Sequence, residues 1–347
     1  IVPGRPVRRG LKSGQVRIIR QPMSVVTSLF SSGKIQADIL LLHVSPPDEN
    51  GAYSLGVSCD TMLAALAQDP IVIAEINPDM PCTFGANSIR AEDIDYFING
   101  SGSPLTIVSS SWDDADDAIA DNVASLIENG DVLQTGFGSI PDLTVTRLTH
   151  LSHLGIHTGI MTEALRPLID KGIVTNGGKK AHRGISVTTM AAGSESFYRF
   201  LHENRAVEFH PCDYTHGFST LAEVEHLCAI NGALEVGLDG NVNAEIIDGR
   251  LISAPGGQPD FAAGAAATPG GKSIIALRAT SKDGMTSRIV GALQPETPAT
   301  LNGNMVDYVV TEIGIARISG LTGLERSLAL IEVAAPQFRS DLRRLSP

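Results

Sequence analysis

Short apolar runs rich in β-branched residues alternate with helix-patterned segments along the chain. That alternation predicts an α/β fold with mostly parallel strands. Residues 37–44 read as a buried strand closed by Ser45-Pro46-Pro47, and 71–76 as another closed by Asn77-Pro78, with an alanine-rich helical stretch over 61–68 between them. Ser101-Gly102-Ser103-Pro104 and the polar run 109–117 break this rhythm, which predicts two domains, 1–104 and 112–347. Residues 118–129 place Ile119, Val123, Leu126 and Ile127 on one helical face and end in the stop signal Asn129-Gly130. Further strands are expected near 155–158, 273–277 and 308–311, and further helices over 163–171, 194–203 and 324–334.

Composition narrows the function classes. A chain of 347 residues with 43% hydrophobic and 18% charged residues is an ordinary globular protein large enough for two cores. Its formal net charge of −12 argues against a broad nucleic-acid surface or an anionic membrane face, while leaving room for a local basic pocket. Cys59, Cys82, Cys212 and Cys228 are widely spaced, with no Cys-x-x-Cys pair. That spacing predicts reduced thiols in a cytoplasmic compartment and neither a zinc knuckle nor a disulfide framework. No apolar run approaches the roughly 18 residues of a membrane span. The start Ile1-Val2-Pro3-Gly4-Arg5 has no secretory h-region and no initiator Met, so a longer product is expected.

The strongest local motif is Val132-Leu133-Gln134-Thr135 running into Gly136-Phe137-Gly138-Ser139-Ile140-Pro141. A strand that turns through two glycines into a helix leaves unpaired N–H groups at the helix start, suited to a phosphate or a developing oxyanion. A tight βα connection without a ligand accounts for the motif equally well. Pro141 stands where a dinucleotide fingerprint has its third glycine. A second glycine loop, Ala254-Pro255-Gly256-Gly257-Gln258, leads through Pro269-Gly270-Gly271 to Lys272, a residue placed to meet a phosphate. His157 and His216 read first as structural hydrogen-bonding residues, and the acidic run Asp113 to Asp117 as a solvated helix start. No Gly-x-Ser-x-Gly elbow is present.

Together, several ordered segments resemble the acetyl-CoA hydrolase/CoA-transferase family, close to 4-hydroxybutyrate and acetate CoA-transferases. They are 44–51, 133–142, 154–158, 172–176, 256–261 and 309–316, with Glu325-Arg326. The resemblance implies two related open α/β domains with an interdomain active-site cleft. It also implies transfer of CoA from an acyl-CoA to a small carboxylate through a glutamyl-CoA thioester. Oxyanion and CoA-binding positions then fall at Thr135, Gly136, Gly138, Ala254, Gly256, Gly257, Gln258 and Lys272. No metal and no covalently bound cofactor are expected; the coenzyme A thioester is itself the substrate or ligand. The expected partners are an acyl-CoA and a small carboxylate, in a homo-oligomer.

The chain departs from the family where it matters most. The family's nucleophilic Glu directly follows Gly-Ile-His-Ser/Thr, and here that position is Gly159. Ala254 replaces the first glycine of the second loop, a basic residue is lost near Ala263, and the first domain looks incomplete at its N-terminus. Glu163 and Glu235 are candidate substitute carboxylates, each read first as a helix-start charge or a structural hydrogen-bonding acid. A water activated by Glu163 or His157 would make the site a thioesterase. Three readings stay open: a transferase or hydrolase with a relocated catalytic group, a silent CoA-binding protein or subunit, and an unrelated nucleotide-binding module.

Overall fold

The computed structural model describes residues 5–107 and 111–346. Helix α1 (Met23–Ser31) precedes a three-stranded parallel sheet of β1 (Ile39–Val44), β2 (Ile71–Ile76) and β3 (Tyr96–Asn99), in the order β1-β2-β3. Leu40, Leu42, Val44, Val72 and Ala74 face the core. Alternate residues face outward, so Ile39, Leu41, Ile71, Tyr96 and Ile98 form an exposed apolar face, with Leu41 73% exposed. Parallel sheets are normally covered on both sides.

Helix α2 (Asp114–Ala124) buries Ile119 and Val123, and the chain leaves helical geometry earlier than the stop signal at Asn129-Gly130. The acidic run before it is not merely solvated. Asp113 caps the helix by accepting from the N–H groups of Ala115 and Asp116, and Arg278 bonds both Asp113 and Asp116 at 2.9 and 2.6 Å. The Asp116 side chain is only 6% exposed, so the pair ties α2 to the sheet behind it.

That sheet has six strands. In chain order the elements are β4 (Val132–Thr135), α3 (Ser139–Thr146), β5 (Gly155–Ile156), β6 (Leu227–Gly232), α4 (Gln258–Ala267), β7 (Lys272–Ala276), β8 (Tyr308–Thr311), β9 (Gly314–Arg317) and α5 (Gly323–Glu332). The spatial order is β9-β8-β7-β6-β4-β5, parallel except for β9. Near-continuous burial of β4, β6 and β7 is what a sheet covered on both faces requires. The winding reverses between β4 and β6. Helix α3 leads from β4 out to β5, whereas α4 leads from β6 to β7 on the other side. In open α/β sheets, the crevice at the carboxyl ends of such strands is where ligands bind.

The expected boundary near 104–112 is crossed by many contacts. Strand Phe84–Gly85 pairs with Val207–Phe209, and α1 docks on the loop before α4. There the Met23 N–H donates to Gly256 O at 3.0 Å, Ser24 Oγ donates to Asp260 at 2.5 Å, and Arg20 pairs with the buried Glu245 at 2.8 Å. All four cysteines are free thiols. Among the described residues, no helix is long and apolar enough to cross a membrane.

Candidate active site

Both glycine loops open onto the reversal point. Gly136 follows β4, and a side chain there would put its Cβ 2.9 Å from Asn231 Oδ1 on β6. Gly138 caps α3 at φ 149°, a conformation L side chains rarely adopt, and Pro141 fills the first turn of that helix. Across the crevice Gly256 sits at φ 60° and Gly257 caps α4. Each helix therefore begins at the carboxyl edge of the sheet, with first-turn N–H groups free of intrahelical partners. The crevice floor is polar: Gln134 and Asn231 exchange amide hydrogen bonds of 2.9 and 3.3 Å between β4 and β6. Gln258 Nε2 donates to Gly232 O at 3.4 Å. The Thr135 hydroxyl, buried at the end of β4, has no hydrogen-bond partner among the described residues. Ala254 is buried just before Gly256.

Gly159 lies just past β5, and its surroundings explain what a missing side chain leaves behind. A Cβ at Gly159 would stand 2.6 Å from His216 Nε2, and a Cβ at Gly257 would stand 2.5 Å from the same atom. One buried imidazole thus fills the space beside both glycines. Its Nδ1 pairs with Thr215 Oγ1 at 2.8 Å, and its ring meets Phe261 edge-on at 4.9 Å between centroids. Burial pushes the His216 pKa down to about 3, so the ring is neutral. Sequence reasoning gave His216 no site role, because the contact joins residues far apart in the chain. Gly159→Glu alone is therefore expected to destabilise the fold by about 1–3 kcal/mol through overpacking, and a His216→Ala background should reduce that loss. Urea denaturation showing Gly159→Glu as stable as the parent chain would disprove the crowding.

The other expected residues fall in different places. His157 is buried; its Nε2 donates to Thr215 O at 3.0 Å, and burial, with the Lys179 charge as a smaller cause, pushes its pKa down to about 3. It braces the backbone that carries His216. Glu163 accepts from Ser194 N, Ser194 Oγ and Ser196 Oγ at 3.0, 2.8 and 3.2 Å, which fastens it to the start of helix Glu195–Leu201. Glu235 opens strand Glu235–Gly237, three residues past the carboxyl end of β6. Its Oε2 accepts from Asn243 Nδ2 at 3.0 Å, while Oε1 lies 4.0 Å from Arg288 Nη1. The side chain is half-buried.

Lys272 does not join the loops. It begins β7 at the opposite, amino edge of the sheet, where Nζ donates to Leu126 O, Glu128 and Asp131, each at 3.0 Å. Two hollows lie outside the crevice. One is mostly apolar and is lined by Leu42, Val57, Met62, Ile160, Met190 and Tyr198. The other is lined by residues that include His157, Lys179, His182 and Tyr214.

The mixed α/β scaffold that carries this crevice is shared with solved structures. RipA from Yersinia pestis superposes with a TM-score of 0.90 at 32% identity, covering 98% of this chain and 77% of that one. The 4-hydroxybutyrate CoA-transferase from Porphyromonas gingivalis gives a TM-score of 0.86 at 35% identity, covering 98% and 82%. Residues 2–109 match the acetyl-CoA hydrolase/transferase N-terminal domain and residues 193–345 the C-terminal domain. The 4-hydroxybutyrate coenzyme A transferase of Clostridium kluyveri is 38% identical over 317 residues, 91% of this chain and 74% of that protein. The succinyl-CoA:cyclohexane-1-carboxylate CoA transferase of Geobacter metallireducens is 35% identical over 305 residues, 88% and 70%. The chain belongs to the acetyl-CoA hydrolase/transferase family.

Proposed function

We propose that this chain transfers CoA between an acyl-CoA and a small carboxylate, with Glu235 carrying the covalent intermediate that Gly159 cannot. The observation behind this is positional. Glu235 follows β6 at the reversal point, on the edge where both glycine-led helices begin, and Glu163 is held by three donors elsewhere. In the first step a Glu235 oxygen attacks the thioester carbonyl, forming a mixed anhydride and releasing CoA thiolate. The thiolate then attacks the glutamyl carbonyl, giving the glutamyl-CoA thioester and the free carboxylate product. An incoming carboxylate reverses the sequence and leaves as its own CoA ester; water in its place gives hydrolysis. Backbone donors for the oxyanions of both tetrahedral intermediates come from Phe137–Gly138 and Gly256–Gly257, the Gly136 N–H being taken by Ile230 O at 2.8 Å.

The apolar hollow beside Ile160 suits an acyl or pantetheine chain. Relatives named for 4-hydroxybutyrate and for cyclohexane-1-carboxylate support a carboxylate acceptor. We place the enzyme in the cytoplasm as a homo-oligomer, the exposed apolar face of β1-β2-β3 being a surface for self-association. A second reading, a CoA-binding subunit without turnover, is favoured by one fact: His216 packs where the family's nucleophile is expected.

The deciding experiment is trapping. After incubation with acetyl-CoA, hydroxylamine should mark the peptide containing Glu235 and leave the one containing Gly159 unmarked. A mark on Glu163 moves the role there. No mark, with calorimetric binding of CoA, selects the silent subunit; no CoA binding at millimolar concentration defeats both readings.

A further inference from the structure

We propose that His182, Glu208 and His210 form a divalent-metal site of the zinc class, separate from the proposed CoA crevice. Glu208 sits on strand Val207–Phe209 and His210 follows it, while His182 comes from the connection between Asn176 and Ser186. Their ligating atoms all lie within 4.8 Å of one another. His182 Nδ1 and His210 Nε2 approach the same oxygen, Glu208 Oε2, at 2.8 and 2.9 Å. Tetrahedral zinc with ligands about 2.0–2.1 Å away spaces its donors about 3.3 Å apart, so opening the cluster by about half an ångström would admit the ion.

The surroundings fit a built site. His182 sits at φ 54°, in the left-handed region that histidine enters more readily than most side chains. Its second ring nitrogen, Nε2, lies 2.7 Å from Tyr214 Oη, an outer partner that fixes the ring once Nδ1 binds metal. His210 is set by its own N–H, which donates to Thr188 O at 2.8 Å. The three side chains are 19%, 24% and 12% exposed, so they are half-buried yet reachable. Two imidazoles and one carboxylate select zinc-class ions over magnesium or calcium. Three protein ligands leave a fourth position for water, and the hollow lined by His182 and Tyr214 adjoins the cluster. A bound ion would clamp the 176–186 connection to strand Val207–Phe209, directly behind His157, whose backbone bridges to Val187.

The alternative arrangement is a metal-free triad in which Glu208 accepts from two imidazole N–H groups. The full chain, stripped with chelator, should take up one equivalent of Zn²⁺ in calorimetry and raise its melting temperature. Co²⁺ should bind with the intense visible bands of tetrahedral coordination. Glu208→Gln, which keeps the size and hydrogen-bonding capacity of the side chain, should weaken Zn²⁺ binding about 100-fold or more, as should His210→Ala. Circular dichroism of both variants separates lost binding from lost fold. Less than a tenth of an equivalent bound by the parent chain, or unchanged Zn²⁺ affinity in a folded Glu208→Gln, overturns the site in favour of the triad.

Discussion

Glu235→Gln should leave the protein folded and able to bind CoA while lowering acyl transfer by roughly 10⁴-fold or more, the scale of losing a covalent nucleophile. Glutamine keeps an oxygen to accept from Asn243 Nδ2 and gives up only a distant attraction to Arg288 at 4.0 Å, so little stability is at stake. What it removes is the anionic oxygen that opens the thioester. Glu163→Gln provides the contrast. It weakens an acceptor of three hydrogen bonds at the start of helix Glu195–Leu201, so denaturant midpoint should fall while turnover persists. Steady-state assays of acetyl-CoA with a short carboxylate read both. If Glu163→Gln abolishes turnover and Glu235→Gln does not, the assignment is wrong and the roles exchange.

Acid should expose the two buried histidines. His157 and His216 have folded pKa values pushed down to about 3 by burial, against an ordinary 6.5. Below pH 6.5 the unfolded chain binds protons there that the folded chain refuses. Their stabilisation is thus complete above 6.5 and is lost as pH falls toward 3. Each ring contributes a little over 1 kcal/mol per pH unit within that window.

Asp260 runs the other way. Burial raises its pKa to about 6, against the hydrogen bonds from Ser24, so its folded form retains a proton between pH 6 and 3.8. Asp60 and Asp142 are also raised by burial, so the whole-protein curve is shallower than the histidines alone would give. The comparison that isolates one ring is His216→Asn. Its unfolding free energy should start lower at pH 7, because a cavity opens beside Gly159 and Gly257. It should then fall less steeply, closing on the parent by about 3 kcal/mol at pH 4. Parallel curves for the two proteins would mean that His216 is protonated equally in both states.

The sheet was legible because its strands are buried on both faces and therefore appear as unbroken apolar runs. Residues 274–277 and 308–310 carry that signal without interruption, whereas 71–76 reads as a strand although Ile71 and Glu75 are exposed. The glycine turn after β4 was legible as well, since Gly138 needs its positive φ and Pro141 suits only a helix start. Lys272 was misplaced for a geometric reason. Proximity in sequence to the second loop suggested proximity in space, but α4 intervenes, and ten helical residues carry the chain about 15 Å, from one edge of the sheet to the other. The Ser24–Asp260 bond and the His216 contact with two glycines pair residues with no local pattern, so composition and periodicity hold no trace of them. The acidic run read correctly as a helix start but gave no sign that Arg278 reaches across to it.

The ring of His216 between Gly159 and Gly257 also couples the changes by which this site can be rebuilt. A carboxylate introduced at 159 meets the imidazole first, and so does any side chain introduced at 257. Each change is harmful while the histidine stands and admissible once it is gone. The three positions therefore form one unit with strong epistasis: His216→Ala alone leaves a cavity, Gly159→Glu alone overpacks, and each change offsets the cost of the other. A library that randomises one position at a time will miss well-packed combinations that one varying 159, 216 and 257 together contains.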